Sequence, residues 1–600
     1  MSVTVRRAAA LGLAASLLFG LPATAGAHQS SPSPTTPDGH ASSPDGPGAA
    51  GDDEPDGGTD TTTDRTIPGD DGTTDDATTD DGSTDGTSGD GTDDTRSDDG
   101  TTDGGSGGAF TPTYAPGECP VPLPAEVAAT VACGYVTVPL EHDEPAGETI
   151  ELAVATFPAT APADEAPLVM LAGGPGELLV TPVLEGLASG LGGMNPQLHE
   201  SRDFVLVDQR GVGASRPSLA CPEVFEALTG ATDSDAVRDM VPAAYASCRE
   251  RLIGEGIELS AFDTENDVDD IDMVREALGY AQVHLFGTSY GARLAHQVAG
   301  EHPEGLASLV LSSPVPAEEN FIADAGTSYD RVLRELDAAC AADTGCAAFA
   351  PDLLDTFEAT VAALEEQPAQ VPFTDPATGQ TVTIAVDGAT LSQVVYGLFY
   401  AAGGPAIVPA VVAAAAEGDF GLLLVGGAVP TSAPIAYGLQ ASFICAEEAV
   451  ESPPSEQVTP ETLPAQLLVA TNPVIGAGLE EVCAAWDVEP ADAETFEPVS
   501  HDVPTLVVTG QFDQITPPSY GEAVAAALPN ATYVEILGVG HSPLLNVGQC
   551  GAALLLAFVA APTSQLDTSC LPTAPSFLAP DQVGGQAGQM PVEPPSPALT

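Results

Sequence analysis

Gly287-Thr288-Ser289-Tyr290-Gly291 places a serine between two glycines at G-x-S-x-G spacing, directly after the apolar run Val283–Phe286. A strand that turns sharply into a helix at such a motif lifts the serine hydroxyl above a sheet, and the glycines leave room for the turn. A serine hydroxyl is a poor nucleophile until a base takes its proton. Behind this elbow the partners come in the order serine, acid, histidine. Of nine histidines, only His541 lies after the last strand signals, in Gly538-Val539-Gly540-His541-Ser542. The preceding strand signal runs into Gly510-Gln511-Phe512-Asp513-Gln514-Ile515-Thr516-Pro517, which makes Asp513 the acid; Asp502 lies on the wrong side of that strand. The chemistry expected is acyl transfer: Ser289 attacks, His541 moves the proton, and Asp513 holds the imidazole tautomer and steadies the imidazolium. The oxyanion needs preorganised N–H donors. The Tyr290 amide supplies one, and Gly173 or Gly174, in the loop Ala172-Gly173-Gly174-Pro175-Gly176, supplies the other.

These residues must be held by elements legible in the pattern. Val131–Leu140 and Thr149–Phe157 read as a strand pair, and Leu168–Leu171 and Phe204–Val207 as short buried strands. Helices are expected near Asp267–Leu278 and after Gly291, with strands at Leu309–Leu311, Thr505–Val508 and Tyr533–Leu537, and a closing helix near Gly551–Val559. Short apolar runs alternating with helices indicate an α/β fold with a mostly parallel sheet covered on both faces. Between 316 and 500 the chain is Ala-rich and helical in period, which reads as a mainly helical cap inserted into one sheet. Asp208-Gln209-Arg210-Gly211-Val212-Gly213-Ala214-Ser215 departs from a dinucleotide fingerprint, since Arg216 and Pro217 stand where the third glycine and a helix should be. It reads as a structural loop with Arg210 paired to an acid. No cofactor is expected.

Composition bounds the rest. Arg6 and Arg7 precede an apolar run and the small-residue sites Ala23-Thr24-Ala25 and Ala25-Gly26-Ala27, so 1–27 reads as a signal peptide. No later segment suits a transmembrane helix. Residues 28–115 are Asp, Thr, Gly, Ser and Pro, a disordered acidic linker that could lie loosely against the cell envelope. The expected layout continues with a core at 116–315, the cap at 316–500, the core again at 501–575 and a disordered extension at 576–600. The net charge of −73 excludes nucleic acid as a partner. Ten cysteines without C-x-x-C pairs or histidines at ligand spacing favour disulfides over a metal and an extracellular or envelope location. Spacing does not fix connectivity; pairing of neighbours is the expectation, joining Cys119 to Cys133, Cys221 to Cys248, Cys340 to Cys346, Cys445 to Cys483 and Cys550 to Cys570.

Taken together, Gly173–Gly176, Asp208–Ser215, Gly287–Gly291 with Arg293-Leu294-Ala295, Gly510–Pro517 and Gly540-His541 resemble the prolyl iminopeptidase and tripeptidyl aminopeptidase family of α/β-hydrolases, above all its secreted bacterial members. The stretch Gly438–Glu448 is similar to part of those members' cap. The resemblance implies an α/β-hydrolase fold, peptide substrates with a free N-terminus, and cap acids gripping the α-ammonium, with Glu447 and Glu448 the candidates. The sequence departs from the family at Ala172, where histidine is common, and at Glu177, where a small or hydroxyl residue is frequent. Two rivals remain: an esterase or lipase with the same triad, and a silent hydrolase fold serving as an envelope-associated binding module.

Overall fold

The computed structural model describes residues 110–162, 165–190, 195–231, 234–374, 381–426, 435–449, 459–476 and 478–587. The expected signal peptide, the linker as far as residue 109 and the tail beyond 587 lie outside the described residues.

Nine strands form one sheet: β1 (Thr113–Pro116), β2 (Ala132–Pro139), β3 (Thr149–Phe157), β4 (Leu168–Leu171), β5 (Phe204–Val207), β6 (Val283–Thr288), β7 (Leu306–Ser312), β10 (Thr505–Gly510) and β11 (Ala531–Ile536). Their spatial order is β1-β2-β3-β5-β4-β6-β7-β10-β11. From β1 to β5 the pairings are antiparallel, and from β5 to β11 they are parallel. Alternate residues of the central strands enter opposite cores, as the two-residue period of a strand requires. Leu168, Met170, Leu206, Phe286, Val310 and Val508 meet Leu184, Leu555 and Phe558 on one face. Val169, Leu171, Val205, Leu285, Leu309 and Val507 meet Ile271, Leu294 and Val298 on the other. Continuous apolar runs such as Phe204–Val207 are therefore buried on both sides.

The chain leaves the sheet after β7 and returns at β10, and these strands are neighbours, with Thr505 opposite Leu309. The excursion between them packs around Tyr329, Phe357, Val361, Phe399 and Val412, a core that continues into Tyr290, Phe512, Ile515 and Tyr520 of the sheet-bearing part. It is mainly helical, with long helices at Phe321–Ala342, Leu353–Glu366 and Gly404–Ala416. It also contains an antiparallel pair, β8 (Ala369–Thr374) with β9 (Thr381–Val386), which helical periodicity did not suggest. A second helical unit, Pro222–Gly230 with Ser234–Gly254, packs Tyr245 edge-on against Trp486 at 6.0 Å.

Two boundaries move. Thr113–Ala115, assigned by composition to the linker, pair with β2 as part of β1, and Cys119–Cys133 ties the same entry segment to that strand. Residues 576–587, assigned to a disordered extension, include the helix Pro580–Ala587, and the Leu578 amide donates to Ala406 O at 2.9 Å. Local composition was misleading here because both segments are ordered by partners distant in sequence. The other bridges are Cys221–Cys248, Cys340–Cys346, Cys445–Cys483 and Cys550–Cys570, each joining neighbours in the cysteine order. Among the described residues, no helix is long and apolar enough to cross a membrane.

Candidate active site

β6 ends at Thr288, and a helix opens at Tyr290 and runs to Glu301. Ser289 between them has φ 56° and ψ −126°, a conformation a non-glycine residue holds only when its surroundings enforce it. The flanking glycines show what enforces it. A Cβ on Gly287 would stand 2.0 Å from Gly291 O, and one on Gly291 would stand 2.3 Å from Ala172 O. The Ser289 amide is tied to Ser312 O at 2.9 Å, whereas its side chain is partly exposed and makes no hydrogen bond to another described residue. Such catalytic hydrogen bonds often tighten only when substrate is bound. The Tyr290 amide belongs to the first turn, whose N–H groups have no partner within the helix. The Tyr290 ring is buried against Phe443, with centroids 4.7 Å apart.

Asp513 and His541 come from the loops after β10 and β11, and His541 Nδ1 lies 3.0 Å from each carboxylate oxygen of Asp513. Asp513 is fully buried. Its carboxylate accepts from Ser313 Oγ (2.7 Å), Thr516 Oγ1 (2.8 Å), Thr516 N (2.9 Å) and Ile515 N (3.2 Å). Burial pushes its pKa up, but His541 and these donors prevail and hold it below the usual carboxylate value. Ser313 also accepts from the Ser542 amide at 3.1 Å, so one hydroxyl links the acid to the histidine loop. The cap completes the setting: the His541 amide donates to Phe399 O at 2.9 Å, and the Tyr400 ring stands edge-on to the imidazole at 5.0 Å. Ser313, Phe399 and Tyr400 were not singled out from sequence. The available signal for Ser313 was its place at the carboxyl end of a central strand, where α/β sheets bind ligands.

The loop after β4 approaches Ser289 closely. A Cβ on Gly173 would meet Ser289 Cβ at 2.9 Å, while Gly174 and Gly176 have φ of 110° and 88°. Asp208 braces this loop by accepting from Leu179 N, Val180 N and Ala214 N, each at 2.9 Å. Arg210 is buried and forks onto Asp270 through Nε (2.9 Å) and Nη2 (2.8 Å). The Asp208–Ser215 segment is thus a structural frame beside the site.

Glu447 and Glu448 lie in a π-helical turn, Ile444–Glu448, that extends the helix Tyr437–Phe443. Both are buried, and both face one guanidinium: Arg293 Nη1 donates to Glu448 Oε1 at 2.7 Å, and Arg293 Nη2 is 3.6 Å from Glu447 Oε2. Glu447 Oε1 also accepts from the Thr264 amide at 3.0 Å. One oxygen of each carboxyl lacks a hydrogen bond. Burial pushes both pKa values up to about 7 against the pull of Arg293. With Glu318, Glu319 and Asp324 they line a cavity of about 210 Å³. Among the described residues, the grouping with metal-ligand spacing is Cys221, Glu223 and Cys248, and its two sulfurs are bonded to each other.

Residues 166–546 match the family described as alpha/beta hydrolase fold. The chain belongs to that family. It is similar to serine protease Hip1 of Mycobacterium tuberculosis, 30% identical over 230 residues, which cover 36% of this chain and 42% of that protein. It is also similar to tripeptidyl aminopeptidase of Streptomyces lividans, 31% identical over 211 residues, or 33% and 38% of the two chains. The match therefore spans less than half the length of these curated relatives. Among solved structures, proline iminopeptidase of Mycobacterium smegmatis aligns over 72% of this chain and 98% of that one at 17% identity, with a TM-score of 0.31.

Proposed function

We propose that this α/β-hydrolase is a secreted serine exopeptidase that releases N-terminal residues or short peptides through an acyl-enzyme. The observation that carries the reading is a buried, multiply bonded Asp513 at 3.0 Å from His541 Nδ1, in a histidine loop that meets the strained Ser289 elbow where Thr288 Oγ1 donates to Ser542 Oγ at 3.3 Å. In this reading, His541 Nε2 takes the Ser289 proton as Oγ attacks the substrate carbonyl. The oxyanion settles on the amides of Tyr290 and of Gly173 or Gly174. His541 then gives its proton to the leaving amine, and water releases the acyl group by the same steps in reverse. Asp513 stays ionised and keeps the Nδ1 proton in place throughout.

The exopeptidase part rests on charge. Two carboxyls share one guanidinium at the Glu447–Glu448 turn, each keeps an oxygen without a hydrogen bond, and the cavity they line carries further acids. Such a pocket favours a substrate ammonium and leaves a continuing peptide chain uncompensated. The name of the Streptomyces relative, a tripeptidyl aminopeptidase, supports the same reading, and that of the Mycobacterium relative, a serine protease, supports its peptidase part. Five disulfides and an acidic N-terminal segment fit an oxidising location outside the cytoplasm, with the segment as a spacer to the envelope.

A neutral-ester hydrolase is the second reading. It is favoured by the engagement of both cap glutamates with Arg293 and by a 31% identity over 157 residues to carboxylesterase B of Mycobacterium tuberculosis. Free-amine proline and tripeptide arylamides, their N-acetylated twins and short p-nitrophenyl esters, assayed with the wild type and Ser289→Ala, separate the two. Ser289-dependent turnover confined to the free amines is expected. Fast ester cleavage with no advantage for a free amine would overturn the exopeptidase reading.

A further inference from the structure

One charged side chain beside the nucleophile has no part in the steps above. Glu177 follows Gly176 in the loop that approaches Ser289. Its main chain is fixed on two sides: its amide donates to Gly173 O at 3.2 Å, and the residue bridges to Ile435 of the cap. The side chain turns back toward the reaction centre. The point that a Cβ on Gly173 would occupy lies 2.9 Å from Ser289 Cβ and 3.5 Å from Glu177 Oε2. Glu177 is partly exposed, forms no ion pair among the described residues, and feels the charge of His541.

We propose that Glu177 is a specificity-determining residue that pairs with a positive charge carried by the substrate within one residue of the scissile bond. The proposal rests on Ser289 being the nucleophile and deepens that reading by naming what the substrate must carry. In the mechanism above, the amides of Tyr290 and of Gly173 or Gly174 hold the developing negative charge, and a bare carboxylate beside them opposes that charge. A cation on the substrate removes the opposition and gains a charge-assisted hydrogen bond. The raised pKa of Glu177, caused first by burial, agrees with a carboxylate that lacks a cation of its own. Two sources offer this chemistry. An α-ammonium on the residue being acylated sits about 2.5 Å from the reacting carbon, whereas that of a tripeptide lies roughly 7 Å farther along an extended chain. A lysine or arginine side chain on the acylated residue can also reach the site.

Four coumarin amides separate the sources: norleucine, N-acetyl-norleucine, lysine and N-acetyl-lysine, each with the full chain and with Glu177→Gln, Glu177→Asp and Ser289→Ala. The expected readout is a ratio of kcat/KM between a cationic substrate and its neutral counterpart of at least roughly tenfold in the wild type, the range of a charge-assisted hydrogen bond. Glu177→Gln should bring that ratio to within about threefold of unity, and Glu177→Asp should retain part of it. Loss confined to norleucine over N-acetyl-norleucine assigns the α-ammonium; loss confined to N-acetyl-lysine over N-acetyl-norleucine assigns the side chain. A ratio unchanged in Glu177→Gln overturns the proposal, as does a wild type indifferent to charge. So does a common fall for all four substrates with the ratio kept, which would mark a purely structural residue. A wild type that prefers N-acetyl-lysine yet rejects free amines removes the exopeptidase reading while leaving Glu177 in its role.

Discussion

Replacing Asp513 by asparagine separates geometry from charge at the proposed triad. In the wild type, Oδ1 accepts from the Thr516 and Ile515 amides, Oδ2 accepts from the Ser313 and Thr516 hydroxyls, and both face His541 Nδ1 at 3.0 Å. In Asp513→Asn, the two backbone amides fix the carbonyl oxygen at the Oδ1 position. The new NH₂ then replaces Oδ2, and the two hydroxyls can rotate to accept from it. The fold should therefore survive. His541 fares worse: the amide nitrogen presents a donor to Nδ1, which favours the tautomer protonated on Nε2, and a neutral amide no longer stabilises the imidazolium. In a serine protease triad this substitution lowers kcat by about 10⁴, equivalent to about 5.4 kcal/mol of barrier. The assay is steady-state hydrolysis of a p-nitrophenyl ester or free-amine arylamide, with thermal unfolding on the same preparation. A folded Asp513→Asn protein that loses less than about tenfold in kcat would refute the assignment of Asp513 as the orienting acid.

Further outcomes follow from the same geometry. Gly287→Ala places a methyl 2.0 Å from a backbone oxygen, so the elbow must shift; loss of Ser289-dependent turnover together with a lower unfolding temperature is expected, and an active, fully stable variant would contradict it. Glu448 has a folded pKa of about 7 against an ordinary 4.5. The folded chain therefore holds more protons than the unfolded one between those values. Its stabilising contribution is complete below about 4.5 and is lost as the pH rises through about 7, at up to about 1.4 kcal/mol per pH unit. Unfolding free energies measured across that window should fall with pH in the wild type and fall less steeply in Glu448→Gln. Cys445, within the turn carrying Glu447 and Glu448, is bonded to Cys483 across a separation of 38 residues. Chain entropy assigns such a bridge about 4 kcal/mol. Cys445→Ser should lower stability on that scale in denaturant titrations, and a loss under about 1 kcal/mol would show that the cap does not depend on it.

Much of the frame around the candidate site was legible because its signals are local. The elbow is written in five consecutive residues, and the central strands are apolar runs buried on both faces, such as Val283–Phe286. Asp513 and His541 could be placed because each follows a recognisable strand in a fixed order. What sequence did not disclose was contact across long separations. Ser313 reaches Asp513 over 200 residues, and only the pairing of β7 with β10 brings them together. Phe399 and Tyr400 touch the histidine loop from a cap whose docking leaves no periodic trace. The Glu447–Glu448 pair was chosen by resemblance as a free grip for an amine. The structure adds Arg293, one turn beyond Ser289, and that guanidinium changes the pair from two open carboxylates to a shared ion cluster. Composition also misplaced both ends of the fold. Thr113–Pro116 and Pro580–Ala587 look polar or Pro/Gly-rich in isolation, yet one completes a sheet edge and the other packs beside the cap helix Gly404–Ala416.

The central claim is that Ser289 is a nucleophile activated by His541. Labelling the full chain with a fluorophosphonate, then mapping the adduct by peptide mass, tests it most directly. A single adduct on Ser289 is expected, abolished in Ser289→Ala and strongly slowed in His541→Ala. A folded protein that stays unlabelled, or carries the label on another residue, would contradict it.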